Sequence, residues 1–125
     1  MSKHVVLVED EANIAEAIRF LLGRDGWRVE TLANGGNAAD VIRTARPDLV
    51  ILDVMLPGKT GFEILAELRC DDSLAGMPVL MLTARGQARD REMALQAGVS
   101  RFMTKPFAND EMLMAVRELT AGRVN

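Results

Sequence analysis

Residues 49–58, Leu-Val-Ile-Leu-Asp-Val-Met-Leu-Pro-Gly, constrain the fold more than any other stretch. The consecutive apolar side chains Leu49, Val50, Ile51 and Leu52 leave no polar face. A strand built from them must be covered on both sides, as in a parallel sheet packed between helices. Pro57-Gly58, followed by Lys59-Thr60-Gly61, ends that strand abruptly. Asp53 then sits at the carboxyl end of a central strand, the edge at which open α/β sheets bind their ligands. A single aspartate there can simply cap a turn. What the other strands bring to the same edge decides its meaning.

The rest of the chain alternates strand and helix. His4-Val5-Val6-Leu7-Val8 is a short apolar strand running into Glu9-Asp10-Glu11. Ile14, Ile18 and Leu21 recur at helical spacing, with Glu16 and Arg19 between them and Gly23 closing the helix. Trp27 to Leu32 is a second strand and Asn34-Gly35-Gly36 a turn. Ala38, Ala39, Ile42 and Ala45 form the core face of a second helix that stops before Pro47. After the third strand, Gly61 to Arg69 is a helix packing through Phe62, Leu65 and Leu68. Cys70, Asp71 and Asp72 open a loop that reaches to Pro78. Val79 to Thr83 is a fourth buried strand. The helix from Arg89 to Ala97 is thin, with only Met93, Ala94 and Ala97 facing inward, and Gly98 ends it. Val99 to Thr104 is a fifth strand, and Asn109 caps a last helix whose Met112, Val116 and Leu119 face inward.

Five strand–helix units joined by short connections imply a parallel sheet with right-handed crossovers and helices on both faces. A length of 125 residues suits one domain, with its core over about residues 3–119. The net charge of −3, with acids and bases interspersed, leaves no electrostatic footprint for nucleic acid or an anionic membrane. Cys70 is the only cysteine, so an internal disulfide is excluded. With neither a signal peptide nor a long apolar span in the sequence, a cytoplasmic location is expected. His4, the only histidine, leads into a buried strand and is expected to pack at the core's edge.

Because parallel strands share a direction, Glu9-Asp10, Asp53, Thr83-Ala84 and Lys105-Pro106 all lie at one edge. Two carboxylates roughly 5 Å apart repel by about 3 kcal/mol at an effective dielectric of about 20. Three at one edge call for a compensating cation, and hard oxygen donors without nearby histidine or cysteine point to Mg2+. An ionised aspartate beside magnesium, a hydroxyl and an ammonium group suits attack on phosphorus, with metal and lysine neutralising the transferring oxygens. Lys105 fits that part as a mobile point charge. Of the fifteen basic residues only Lys3, Lys59 and Lys105 are lysine, so a lysine at this edge stands out.

Four segments, VVLVEDEANI, PDLVILDVMLPGKTGFEIL, PVLMLTA and AGVSRFMTKPF, resemble the receiver domains of bacterial two-component response regulators. The likeness spans residues 3 to about 119. It implies a flavodoxin-like doubly wound five-stranded parallel sheet of order 2-1-3-4-5 with five helices. It further implies that Asp53 accepts a phosphoryl group from a histidine kinase or phosphotransfer protein. By the same resemblance, Asp10, Asp53 and the backbone carbonyl of Met55 ligate Mg2+, and Glu9 assists through water. Lys105 pairs with the phosphoryl group, and the bond to Pro106 is one that is usually cis in the family, although the sequence does not fix its isomer. Thr83 turns its hydroxyl toward the modified aspartate, and Phe102 is the switch aromatic. Such a domain catalyses only its own phosphorylation and dephosphorylation.

Ser100-Arg101-Phe102 stand where many transcription-factor members have two acids and a tyrosine, so the charge pattern those members use for dimer salt bridges is missing. Met55 and Arg85 occupy positions that tune phosphoryl-group lifetime in the family. Helical spacing turns Leu95 and Arg91 away from Ala94 and Ala97, and Met114 away from Met112. Arg91, Leu95, Arg101, Phe102 and Met114 are therefore the expected partner surface. Its partners would be a downstream output domain or protein, or a second phosphorylated copy of the chain. Three rival readings fit less well. An aspartate phosphatase places a second acid two residues after its nucleophile, where this chain has Met55. A flavodoxin needs a phosphate loop where Glu9-Asp10-Glu11 would repel phosphate. A receiver-like domain that is never phosphorylated would not need all five of these positions.

Overall fold

The protein, represented by a computed structural model, is described over residues 3–84 and 88–121. Five strands, β1 (Lys3–Val8), β2 (Trp27–Leu32), β3 (Leu49–Asp53), β4 (Val79–Thr83) and β5 (Arg101–Thr104), alternate with five helices. These are α1 (Ala12–Arg24), α2 (Ala38–Ala45), α3 (Gly61–Cys70), α4 (Ala88–Gln96) and α5 (Asn109–Thr120). All the strand pairings are parallel and the order is β2-β1-β3-β4-β5. The doubly wound sheet is therefore the one the sequence pattern and the resemblance imply.

The run at residues 49–52 explains itself in the packing. Val50 and Leu52 face a core completed by α2, α3 and Ala94 of α4. Leu49 and Ile51 face a second core completed by α1 and α5. Each side chain of the run is fully buried, and Asp53 closes the strand at 4% exposure. With both faces dry, the strand can end only at an edge, and its final residue is held as firmly as the core behind it.

Several local expectations shift. In α1 the buried residues are Ile18 and Leu22, with Leu21 only half covered, so the inward stripe is turned by one position. The helix also runs past Gly23 to Arg24, and Gly26 makes the turn with φ +91°. Ile64 is buried with Leu65 and Leu68, while Phe62 packs at the margin. Cys70 is the exposed last residue of α3 and not part of the loop. β5 starts at Arg101 and not at Val99, because Val99 donates its N–H back to Ala94 in a helix-ending turn. Asn109 lies inside α5; Ala108 occupies the cap position and makes no side-chain cap bond.

α4 is as thin as its sequence implies, and thinner at Met93, which is 44% exposed; only Ala94 is fully buried. What secures its carboxyl end is Arg69. The Arg69 guanidinium donates to the carbonyls of Gly98 (2.8 Å), Ala75 (3.0 Å) and Met77 (2.8 Å), and reaches Ser100 Oγ at 3.4 Å. Burial lowers the pKa of this group.

Gly61 starts α3 directly against β3, and a Cβ there would collide with the backbone oxygen of Asp53. Gly61→Ala is expected to cost about 1–3 kcal/mol through this overpacking. Gly23, inside α1 with open space around it, should behave oppositely: Gly23→Ala stabilises by about 0.5–1 kcal/mol. Urea unfolding of the two variants checks the pair.

Candidate functional site

The carboxyl ends of β1, β3, β4 and β5 meet at one edge and are tied together by backbone hydrogen bonds. Val54 N–H donates to Leu82 at 2.9 Å and Lys105 N–H to Thr83 at 2.7 Å. The segment following Asp53 is pinned at both ends. Gly61 N–H donates to the Val54 carbonyl and Gly35 N–H to that of Pro57, each at 2.9 Å. Thr60 and Glu63 close a reciprocal capping box at the start of α3. Lys59 Nζ lies 2.5 Å from Glu67. The loop leaving Asp53 is thus anchored on α3 and on the β2–α2 turn.

Lys105 is the hub of the side-chain arrangement. Its Nζ lies 2.7 Å from Glu9 Oε1, 3.2 Å from Asp53 Oδ2 and 3.4 Å from Glu11 Oε1. The Lys105, Glu9 and Asp53 side chains are 8%, 0% and 5% exposed, against 59% for Glu11. Asp53 Oδ1 also accepts a long hydrogen bond from Met55 N–H at 3.4 Å. The Lys105–Pro106 peptide bond is cis. Lysine therefore supplies directly part of the compensation that three acids at one edge require.

Burial pushes the Glu9 carboxyl up to about 7, and Asp53 pushes it the same way, while Lys105 and the Glu11 N–H oppose. For Lys105, burial pulls the pKa down, but Glu9 and Asp53 outweigh it and leave the ammonium more firmly protonated than usual. The folded state thus holds a proton on Glu9 that the unfolded chain, at its ordinary 4.5, has released. The stability this group contributes is complete below about pH 4.5 and is lost as the pH rises through 7. That shift corresponds to roughly 3 kcal/mol. In the metal-free protein Glu9→Gln should flatten this limb of the pH–stability curve, as measured by urea titration between about pH 5 and 8.

Carboxylate oxygens of Glu9, Asp10 and Asp53 lie within 4.8 Å of one another, with Asp10 exposed and the other two buried. Glu9 Oε1, although close to Lys105, has no hydrogen bond of acceptable angle among the described residues. A buried oxygen whose near partner is Lys105, set beside two further carboxylates, all hard oxygen donors, fits a small divalent cation such as Mg2+.

Thr83 is buried at the end of β4. It borders a cavity of about 290 Å³ shared with Met55, Phe62, Arg89 and Met93. Phe102 is half-buried on β5, packed at the margin of the core, with the Arg91 guanidinium 5.5 Å from its ring centroid. Leu95 and Met114 are exposed at 63% and 58%. Arg101 is paired with Glu118 at 3.0 Å. Arg85 lies outside the described residues. Sequence reasoning missed the contact of Glu11 with Lys105; the unbroken acid run Glu9-Asp10-Glu11 was its only trace.

A profile described as the response regulator receiver domain matches residues 5–117. The chain is 40% identical over 115 residues to a probable transcriptional regulatory protein, TcrX, of Mycobacterium tuberculosis. That match covers 92% of this chain and 48% of the relative, so the chain spans about half the length of that curated relative. A putative response regulator from Chloroflexus aurantiacus superimposes with TM-score 0.92 at 30% identity, covering 97% of this chain and 99% of its own. The receiver domain of the sensor histidine kinase PA1611 from Pseudomonas aeruginosa, solved with a magnesium ion coordinated in its cleft, gives TM-score 0.89 at 29% identity. That likeness covers 98% of this chain and all of the other.

Proposed function

Because the chain belongs to the response regulator receiver domain family of two-component signalling, we propose that Asp53 is its phosphoryl acceptor and that the domain works as a switch. The observation that carries this reading is the buried pairing of Asp53 Oδ2 with Lys105 Nζ beside Glu9 and Asp10. An Asp53 carboxylate oxygen attacks phosphorus of a phosphohistidine on a histidine kinase or phosphotransfer protein. The P–N bond breaks, and its electron pair leaves with the imidazole. Lys105 neutralises charge on the transferring oxygens, and the pinned loop after Asp53 keeps the nucleophile from turning away.

Asp10, Asp53 and the Met55 carbonyl would hold Mg2+, with Glu9 acting through water. When bound, the ion supplies charge neutralisation of the phosphoryl group. Once Asp53 is modified, the Thr83 hydroxyl turns toward the phosphoryl oxygens, the adjoining cavity gives α4 room to respond, and Phe102 serves as the switch aromatic. Arg91, Leu95, Arg101, Phe102 and Met114, on α4, β5 and α5, form the surface that meets an output domain, a partner protein or a second copy of the chain. The domain does not contact nucleic acid directly and acts in the cytoplasm. In keeping with that, no helix among the described residues is long and apolar enough to cross a membrane.

Incubation with acetyl phosphate and Mg2+, followed by intact-mass and peptide mass spectrometry, tests the reading. A single phosphoryl adduct mapped to Asp53 is expected, and its absence sinks the proposal.

A further inference from the structure

Glu11 stands at the N-cap of α1, where a short polar side chain would ordinarily accept a hydrogen bond from the first turn, yet it makes no such bond. Its carboxylate turns instead to Lys105 Nζ, 3.4 Å away. The other two acids on that ammonium, Glu9 and Asp53, are buried and fixed, whereas Glu11 is 59% exposed and covers the solvent side. A phosphoryl group approaching Asp53 needs a place on Lys105, and Glu11 occupies its solvent side. Glu11 and Lys105 also line a groove of about 440 Å³ together with Ile14, Ala17, Pro106 and Phe107. A macromolecular donor lying in that groove gains contacts that offset the displacement of Glu11. A small anion in free solution gains none.

We propose that Glu11 is a specificity-determining residue, an exposed competing anion on Lys105 that disfavours small, highly charged phosphodonors. The proposal rests on Asp53 being the acceptor. With acetyl phosphate, an Asp53 oxygen forms the new P–O bond, the P–O bond to the acetyl group breaks, and acetate leaves with the electron pair. Phosphoramidate, which carries less net negative charge near neutral pH, transfers the same group with ammonia as the leaving group. Competition for one cation scales with donor charge, so Glu11 should weigh more against acetyl phosphate.

The experiment measures second-order rate constants of Asp53 phosphorylation, at saturating Mg2+, for wild type, Glu11→Gln and Glu16→Gln. Glu16 carries the same charge further along the exposed side of α1 and serves as the control. Glu11→Gln is expected to speed acetyl phosphate transfer by about fivefold and phosphoramidate transfer by about twofold or less, from the Coulomb energy of one partly screened charge. The gain should shrink in high salt, and Glu16→Gln should change neither rate. A gain below about twofold, or an equal gain for both donors, or an equal gain in the Glu16 variant, overturns the gate. Failure of wild type to form an Asp53 adduct with either donor overturns the underlying acceptor reading instead, so the two failures are separable.

Discussion

Asp53→Asn should abolish phosphoryl uptake from acetyl phosphate while leaving the protein folded. The amide has no carboxylate oxygen to attack phosphorus, so loss of the adduct is expected to be complete. Its oxygen can still accept from Met55 N–H as Asp53 Oδ1 does. Removing the Asp53 charge also removes one of the causes that push the Glu9 pKa up. Glu9 then ionises at lower cost, which offsets part of what the buried Asp53–Lys105 pair contributed. Intact-mass measurement reads the first effect and denaturant unfolding the second. A phosphorylated Asp53→Asn protein would mean that another residue accepts the group.

Lys105→Met should be the most damaging substitution at the site. It strands Glu9 and Asp53, whose side chains are 0% and 5% exposed, without their cation. Breaking a buried ion pair in this way costs about 3 kcal/mol or more. The sign with pH follows from Glu9, whose pKa is already raised to about 7 and rises further without Lys105. Below that pKa Glu9 is neutral and only Asp53 is stranded, so the penalty should be smaller near pH 5 than near pH 8, where it is full. Added Mg2+ should recover part of the loss at pH 8. Phosphorylation by acetyl phosphate should slow by about 100-fold or more, the usual cost of deleting a preorganised charge at a transferring group. Guanidinium unfolding at the two pH values and adduct formation over time check these outcomes.

Most of the fold could be read from local pattern because the sheet is buried on both sides. The runs Val5 to Val8, Leu49 to Leu52 and Val79 to Leu82 have no polar residue to disguise them, and parallel direction alone brings their ends to one edge. Composition left the strand order open, and it came from the family resemblance. The errors fall where backbone geometry outranks side-chain pattern. Leu21 and Leu22 are equally apolar, and only the packing of α1 on the sheet chooses Leu22. Asn109 is a good cap residue, yet the extended backbone at Ala108 takes the cap position. At the site, the acids and lysine could be found from strand ends, but not how the charge is divided. That Glu9 is the nearest acid to Lys105, and Glu11 a third claimant, depends on rotamers that no spacing encodes. The close approach of Gly61 to Asp53 was hidden for the same reason: a glycine beginning a helix looks the same whether space or a carbonyl lies beside it.

The Arg69 clamp has a mechanical consequence. By gripping Gly98 and Ser100 it makes the carboxyl end of α4 a fulcrum. The opposite end, at Arg89 and Asp90, borders an open cavity beside Thr83. A nine-residue helix held that way is a lever about 13 Å long. A small displacement near Thr83 therefore swings α4 and does not slide it. For a helix pivoted there, travel is greatest beside Thr83 and dies away toward Gly98, so Arg91 would move further over the Phe102 ring than Leu95, which lies nearer the pivot.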